Sequence, residues 1–175
     1  MGVNRLSFGV QDFDETLLQA LNRPQSSKWL ERLYRESRSL NFDGINMDLM
    51  YGLPGQTPQN YSYTLEQTLE FAPDRIAIFS YAHVPWMKPH QKALEKIGIL
   101  SGYDKFQLFI MALEKLTENG YRYIGLDHFA RKGDPLTIAQ DSGKLHRNFQ
   151  GYTTMSDLDI LAFGISAISS TSHAY

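Results

Sequence analysis

Apolar residues recur along the chain at intervals that switch repeatedly between two positions and about three and a half, the pattern of strands alternating with helices. Leu6, Phe8 and Val10 alternate with Ser7, Gly9 and Gln11, which predicts a first strand. Asp12 with Glu15 resembles a capping box, and Leu17, Leu18 and Leu21 give the short helix that follows one apolar face, ending near Asn22-Arg23-Pro24. A second helix, capped by Ser26 or Ser27, is predicted to bury Trp29, Leu30, Leu33 and Tyr34. The turn Asn41-Phe42-Asp43-Gly44 leads into a second strand over 45–51. After the loop Gly52-Leu53-Pro54-Gly55-Gln56, Thr57 offers an N-cap and Pro58 a first-turn proline for a helix through Glu70. Residues 75–84 read as a third strand, and Pro85 and Pro89 mark an irregular segment before an amphipathic helix over 103–119, closed by Gly120. Residues 121–130 read as a fourth strand and the polar run 131–144 as a solvated loop. The apolar stretch 160–168 fits a fifth strand or a buried helix equally.

Strands separated by helices run parallel, and right-handed crossovers place them in a doubly wound sheet or a barrel. The expected fold class is α/β: a partial parallel (β/α) barrel occupying 1–175, with no second domain. Four or so strands do not close a barrel of eight, so further chain is expected to cover the open edge. Chemistry in such sheets collects at the carboxyl ends of the strands. There stand Gln11, Asp48, Tyr81-Ala82-His83 and Asp127-His128.

A hydrophobic fraction of 42% supports a folded core rather than a disordered chain. The formal net charge of -2 comes from intermixed charges, so no basic field would concentrate nucleic acid or anionic lipid. No apolar stretch is long enough to cross a bilayer and the start does not read as a secretory leader, so a cytoplasmic location is expected. Cysteine is absent, which excludes disulfides, thiolate zinc sites, a cysteine nucleophile and the usual ligands of an iron-sulfur cluster.

The strand-end strings carry a resemblance. Asn4-Arg-Leu-Ser-Phe-Gly-Val-Gln-Asp-Phe, then Asn22-Arg23, then Asp48-Leu-Met-Tyr-Gly-Leu-Pro-Gly-Gln-Thr look like the radical S-adenosylmethionine enzymes that act on haem precursors. The more selective blocks are Tyr81-Ala82-His83-Val84-Pro85, Asp127-His128-Phe129-Ala130-Arg131 and His146-Arg147-Asn148-Phe149-Gln150-Gly151-Tyr152-Thr153-Thr154. Together they are similar to the oxygen-independent coproporphyrinogen III oxidases, over nearly the whole chain. The resemblance implies that the family's three-cysteine motif for a [4Fe-4S] cluster precedes Met1 and that a C-terminal helical domain follows Tyr175. The isolated chain is therefore expected to be inactive.

On the same resemblance, the full-length protein oxidatively decarboxylates two propionates of coproporphyrinogen III to vinyl groups, giving protoporphyrinogen IX. It uses two S-adenosyl-L-methionine molecules per active site, and it works as a monomer with an electron donor and an acceptor. Cofactors carry that chemistry while protein supplies placement and shielding. The family's cofactor contacts fall on Gln11, Arg23, Asp48 and Ala82, with Ile168 and Gln150 near the same cavity. Arg147, Arg131 and His146 are candidates for the substrate propionates. Arg23 suits a forked pair with a carboxylate, Asp48 accepts from an ammonium or a ribose hydroxyl, and Gln11 both donates and accepts.

Simpler readings stand beside these. A strand-end Asp48 often caps a neighbouring helix, Arg23 beside a proline is a solvated helix end, and His83 and His128 in apolar strands are usually hydrogen-bonded core residues. Met47, Met50 and Met111 read as core filler. Two other functional classes are consistent with parts of the pattern. One is a haem chaperone of the same superfamily, and the other is a divalent-metal barrel hydrolase using Asp48, His83, Asp127 and His128.

Overall fold

The alternating strings form strands: β1 is Arg5–Gln11, β2 is Gly44–Tyr51 and β3 is Arg75–Ser80. They pair in parallel, β1 with β2 and β2 with β3. The connecting segments hold helices α1 (Glu15–Ala20), α2 (Ser27–Ser39) and α3 (Pro58–Phe71), and α4 (Gly102–Glu118) follows β3. This computed structural model describes residues 2–149, 151–156, 158–165 and 167–171. The chain divides into two compact units, Met1–Lys132 and Gly133–Tyr175.

In the first unit the two faces of the sheet differ in kind. Val10, Ile45, Met47, Leu49, Ile76 and Ile78 are fully buried in one cluster with Leu30, Tyr61, Leu65, Leu108, Ala112 and Leu116 from the helices. Side chains alternate across a strand, so the other face carries Ser7 and Gly9 of β1, Asn46 and Asp48 of β2, and Ala77 of β3. A hydrophobic face seats the helices and a polar, small-residue face is left for other work. The helices start where side chains satisfy their first amides. Thr57 and Asn60 form a reciprocal capping box at α3, and Ser101 and Asp104 form another at α4.

Several expectations are corrected. The first helix is capped by Asp14, whose carboxylate accepts from the amides of Thr16 and Leu17; Asp12 instead turns inward and is 1% exposed. Trp29 lies on the solvent side of α2, at 58% exposure, because Leu30 and Tyr34 already fill the stripe that faces the core. β3 ends at Ser80 and the chain leaves the sheet at Tyr81 to Val84, ahead of a 3-10 helix over Pro89–Lys96. The stretch 121–130 is a hairpin, β4 (Tyr121–Gly125) and β5 (His128–Arg131), turning at Leu126 with φ 51°. β5 pairs antiparallel with β3 and with β4, giving the order β1-β2-β3-β5-β4. The all-parallel expectation therefore holds for the first three strands only.

In the second unit the polar run is not a loop throughout. Asp134 caps a helix α5 (Pro135–Asp141) through the amide of Leu136, with Pro135 in its first turn. Strands β6 (His146–Asn148) and β7 (Gly151–Thr153) form an antiparallel pair. The described residues of the stretch 160–168 form neither the strand nor the buried helix expected: they carry one bridge, Ile160 to Ser170, and Leu161, Phe163 and Ile165 are exposed. Apolar composition alone does not make an element, since most helical stability comes from packing an apolar face. Among the described residues, no helix is long and apolar enough to cross a membrane.

Candidate functional site

The carboxyl ends of β1, β2 and β3 open onto a cavity of about 300 Å³. Its polar lining includes Gln11 from the end of β1, Arg23 from the turn after α1, and Lys88, His90 and Gln91 from the segment beyond β3. Ala82 lies on the same wall, and Leu18, Leu21, Met50, Leu53 and Leu94 give it an apolar lining. Three cationic or titratable nitrogen side chains and no carboxylate line it, so it favours a ligand with an anionic group and an apolar body.

Local structure explains how Arg23 reaches this place. α1 ends in a Schellman motif: Asn22, with φ 54°, turns left-handed, its amide donates to Gln19 O, and the Arg23 amide donates to Leu18 O. The chain reverses and the Arg23 guanidinium comes back over β1, donating from Nη2 to Gly9 O at 3.0 Å. Gly9 leaves room for both side chains. A Cβ at this position would stand 2.9 Å from Gln11 Nε2 and 3.0 Å from Arg23 Nη2, so the missing side chain is the space those two polar groups occupy.

Asp48 stands beside them, paired in register with Gly9 on the neighbouring strand. Its Oδ1 accepts from Asn46 Nδ2 at 2.6 Å and its Oδ2 from Ser7 Oγ at 3.0 Å. Asn46 Nδ2 also donates to Ser7 Oγ at 2.8 Å, closing a ring of three side chains on the polar face. Ala82 is held from behind. Gln91, 6% exposed, donates from Nε2 to Ala82 O and accepts from the Val84 amide, while Lys105 Nζ donates to Tyr81 O.

Gln11 carries backbone strain. Its φ is 67°, at an irregularity where the β1–β2 register slips between Gly9 and Gln11. A non-glycine residue in the left-handed region costs about 1–2 kcal/mol, and such strain concentrates at functional positions. Gln11→Gly is expected to raise the unfolding free energy by roughly 0.5–1 kcal/mol, the relieved strain exceeding the extra unfolded-state entropy of glycine. Urea titration checks this, with Gln11→Ala as the control that keeps the strain.

Beneath the cavity lies a network that the sequence did not suggest. The Asp12 carboxylate accepts from Thr64 Oγ1, Gln56 Nε2 and the Asp14 amide. Gln56 Oε1 in turn accepts from the amides of Gly52 and Leu53, so one buried carboxylate ties the end of β1 to the Gly52–Gln56 loop and to α3. Burial pushes the Asp12 carboxyl above its ordinary value, although those hydrogen bonds oppose it.

The remaining predicted site residues fall elsewhere. Arg131 ends β5, which runs antiparallel, so its amide donates to Asp74 O at the amino end of β3, opposite the cavity. Its guanidinium lies 5.8 Å from the centroid of the Tyr121 ring. His146 and Arg147 are exposed on β6 in the second unit, and Ile168 is half-buried there. Gln150 lies outside the described residues. Of the hydrolase ligands, His83 shares its Nε2 with Glu95 Oε1 at 3.1 Å and His128 Nδ1 is 2.6 Å from Asp127 Oδ1. Among the described residues no three His, Asp or Glu gather into a metal-binding group, so that reading lacks a ligand set.

Comparison with known proteins places this architecture. The chain is 46% identical over 175 residues to the oxygen-independent coproporphyrinogen III oxidase of Synechocystis sp., covering 100% of this chain and 38% of that protein. The protein of the same name from Escherichia coli is 43% identical over 174 residues, covering 99% of this chain and 38% of its own length. The chain is homologous along its whole length to the oxygen-independent coproporphyrinogen III oxidases. The one from Thermostichus vulcanus is 45% identical over 175 residues and is covered to 54% of its length, so the chain spans between about two fifths and about half of these relatives. The solved coproporphyrinogen III oxidase from Escherichia coli, reported as a radical SAM enzyme, superposes with a TM-score of 0.90 at 44% identity. That match covers 96% of this chain and 39% of that one, and the fold here is accordingly part of an α/β barrel of the radical SAM type. No protein-family model matches the chain.

Proposed function

We propose that this chain forms the cofactor-facing part of an oxygen-independent coproporphyrinogen III oxidase and that its cavity holds S-adenosyl-L-methionine. The observation that carries this reading is the convergence at one cavity of Gln11, Arg23 and Ala82, with Asp48 one strand away on the same face. Arg23 takes the cofactor carboxylate in a charge-assisted pair, and Asp48 accepts from its ammonium or a ribose hydroxyl. Gln11 serves either end, and the apolar wall packs the uncharged body.

When bound, S-adenosylmethionine and a [4Fe-4S] cluster supply the oxidising chemistry by which coproporphyrinogen III loses two carboxyl groups. The residues at hand fit the first group and not the second, since the chain has no cysteine to ligate iron. Its own contribution is binding, orientation and exclusion of water at the strand ends. Arg147 and His146 are the proposed contacts for substrate propionates, with Arg131 a weaker candidate because of its place at the far end of the sheet. The protein works in the cytoplasm as a monomer, with a separate electron donor for the reductive step and an acceptor for the electrons that the substrate gives up.

The test is a titration of isotopically labelled chain with S-adenosylmethionine, followed by amide NMR. Saturable shifts at Gly9, Gln11, Arg23, Asp48 and Ala82, with a dissociation constant of about 1 mM or tighter, are expected. A folded spectrum that stays unchanged up to about ten times that concentration would overturn the reading.

A further inference from the structure

The polar face of the sheet holds one carboxylate whose two oxygens each accept a neutral donor from a different side chain. Asp48 Oδ1 receives Asn46 Nδ2 and Asp48 Oδ2 receives Ser7 Oγ, and the Asn46 amide also donates to Ser7 Oγ, so neither donor is free to turn away. Asn46 and Asp48 sit two apart on β2, and Ser7 is in register with Asn46 on β1, so all three project from one face of a rigid paired ladder. A carboxylate held at only one oxygen still swings about its χ2 torsion, which is broad. Held at both, it has one plane.

We infer that Ser7 and Asn46 are positioning residues for Asp48: they lock the carboxylate in the orientation in which its remaining lone pairs meet a hydrogen-bond donor of the ligand, an ammonium or a sugar hydroxyl. This rests on the proposed role of the cavity and extends it from the contacts to their support. The donors are neutral, so Asp48 keeps its full negative charge for the ligand. A cation in either place would compete for it. The other oxygens of the ring lead to the same conclusion. Ser7 Oγ is already occupied by Asn46, and Asn46 Oδ1 is buried with no hydrogen-bond partner among the described residues, so neither is the group a ligand meets first. Their work is done through Asp48. Because the three lie on β1 and β2 themselves, the arrangement is set by the ladder rather than by a loop, the placement that holds a binding group most accurately.

A double-mutant cycle with S-adenosylmethionine as the probe tests this. Ser7→Ala is expected to weaken binding about 5-fold and Asn46→Ala about 10-fold in the otherwise unchanged chain. Ser7→Thr keeps the hydroxyl and restores most of the affinity. In the Asp48→Asn background, Ser7→Ala is expected to have no further effect, because the group it acts through has gone. Thermal unfolding of each variant separates misfolding from loss of binding, and Ser7, exposed on a strand, is the variant least exposed to that risk. If Asp48→Asn weakens binding and Ser7→Ala weakens it by the same factor in both backgrounds, the positioning role is overturned while the cofactor reading stands. If Asp48→Asn leaves affinity unchanged, the assigned contact itself fails and the inference falls with it.

Discussion

Asp12→Ala is expected to lower the unfolding free energy by about 3 kcal/mol, the largest single effect on stability that the structure suggests. The estimate follows from what the substitution strands. Thr64 Oγ1, Gln56 Nε2 and the Asp14 amide all donate to this carboxylate, and Asp12, Thr64 and Gln56 are buried. An unsatisfied buried donor costs about 1–3 kcal/mol, and some of the three regain water or partners on relaxing. Because Gln56 also holds the amides of Gly52 and Leu53, the loss extends to the loop that floors the cavity. Chemical denaturation measures the change, and amide exchange at Gly52 and Leu53 reports whether the loop opens with it.

Asp12→Asn separates the charge from the contacts. Burial holds the folded-state pKa of Asp12 above the ordinary 3.8, so between those two values the folded chain binds a proton more tightly than the unfolded chain does. Stability from this group is therefore full below the lower value and declines as pH rises through the folded one. Asparagine carries no such dependence, although its amide would face the Gln56 amide donor to donor. The advantage of the parent chain over Asp12→Asn should shrink on going from about pH 4 toward neutrality. An advantage that grows over that range would mean that the hydrogen bonds, not burial, set the proton affinity.

How much of this was legible in the residues depends on the range over which each signal acts. The strands β1 and β2, the helix α3 with its Thr57-Pro58 start, and the helix α4 were visible because period and capping are local. The stretch 121–130 reads as one strand because aromatic and apolar residues recur from Tyr121 to Ala130, with Arg122, Asp127 and His128 among them; the turn lies at Gly125 and Leu126, both of positive φ, and its only signs in the residues are Gly125 and Asp127. Antiparallel pairing followed from that missed turn. Asp12 with Glu15 reads as a capping pair, yet Asp14 competes for the same helix start and leaves Asp12 to the interior. The partners that bury it, Thr64 and Gln56, are more than forty residues away, beyond any local pattern. Ser7 and Asn46 were within reach of the sequence. They share the period-two parity of Gln11 and Asp48, so a polar face was already written in the alternation. Gln91 left no comparable trace, because its bonds to Ala82 and Val84 depend on how the 3-10 helix folds back over the end of β3.

Arg23→Ala is expected to weaken S-adenosylmethionine binding by roughly 10- to 100-fold while leaving stability within about 0.5 kcal/mol of the parent. The two halves of that expectation have separate causes. Arg23 is exposed, and among the described residues its side chain donates to Gly9 O alone, so the folded chain loses little when it goes. A ligand carboxylate loses a charge-assisted pair of about 1.5–3 kcal/mol, and about 1.4 kcal/mol is tenfold in affinity. Arg23→Lys sharpens the test. Lysine keeps the charge but not the fork that both steadies the side chain on Gly9 O and meets a carboxylate with paired donors, so an intermediate loss of roughly 3- to 10-fold is expected. Equal losses for alanine and lysine would show that geometry rather than charge carries the contact. No loss for either would move the carboxylate to the other nitrogen side chains lining the cavity, Lys88 and His90, and leave Arg23 as the solvated end of α1.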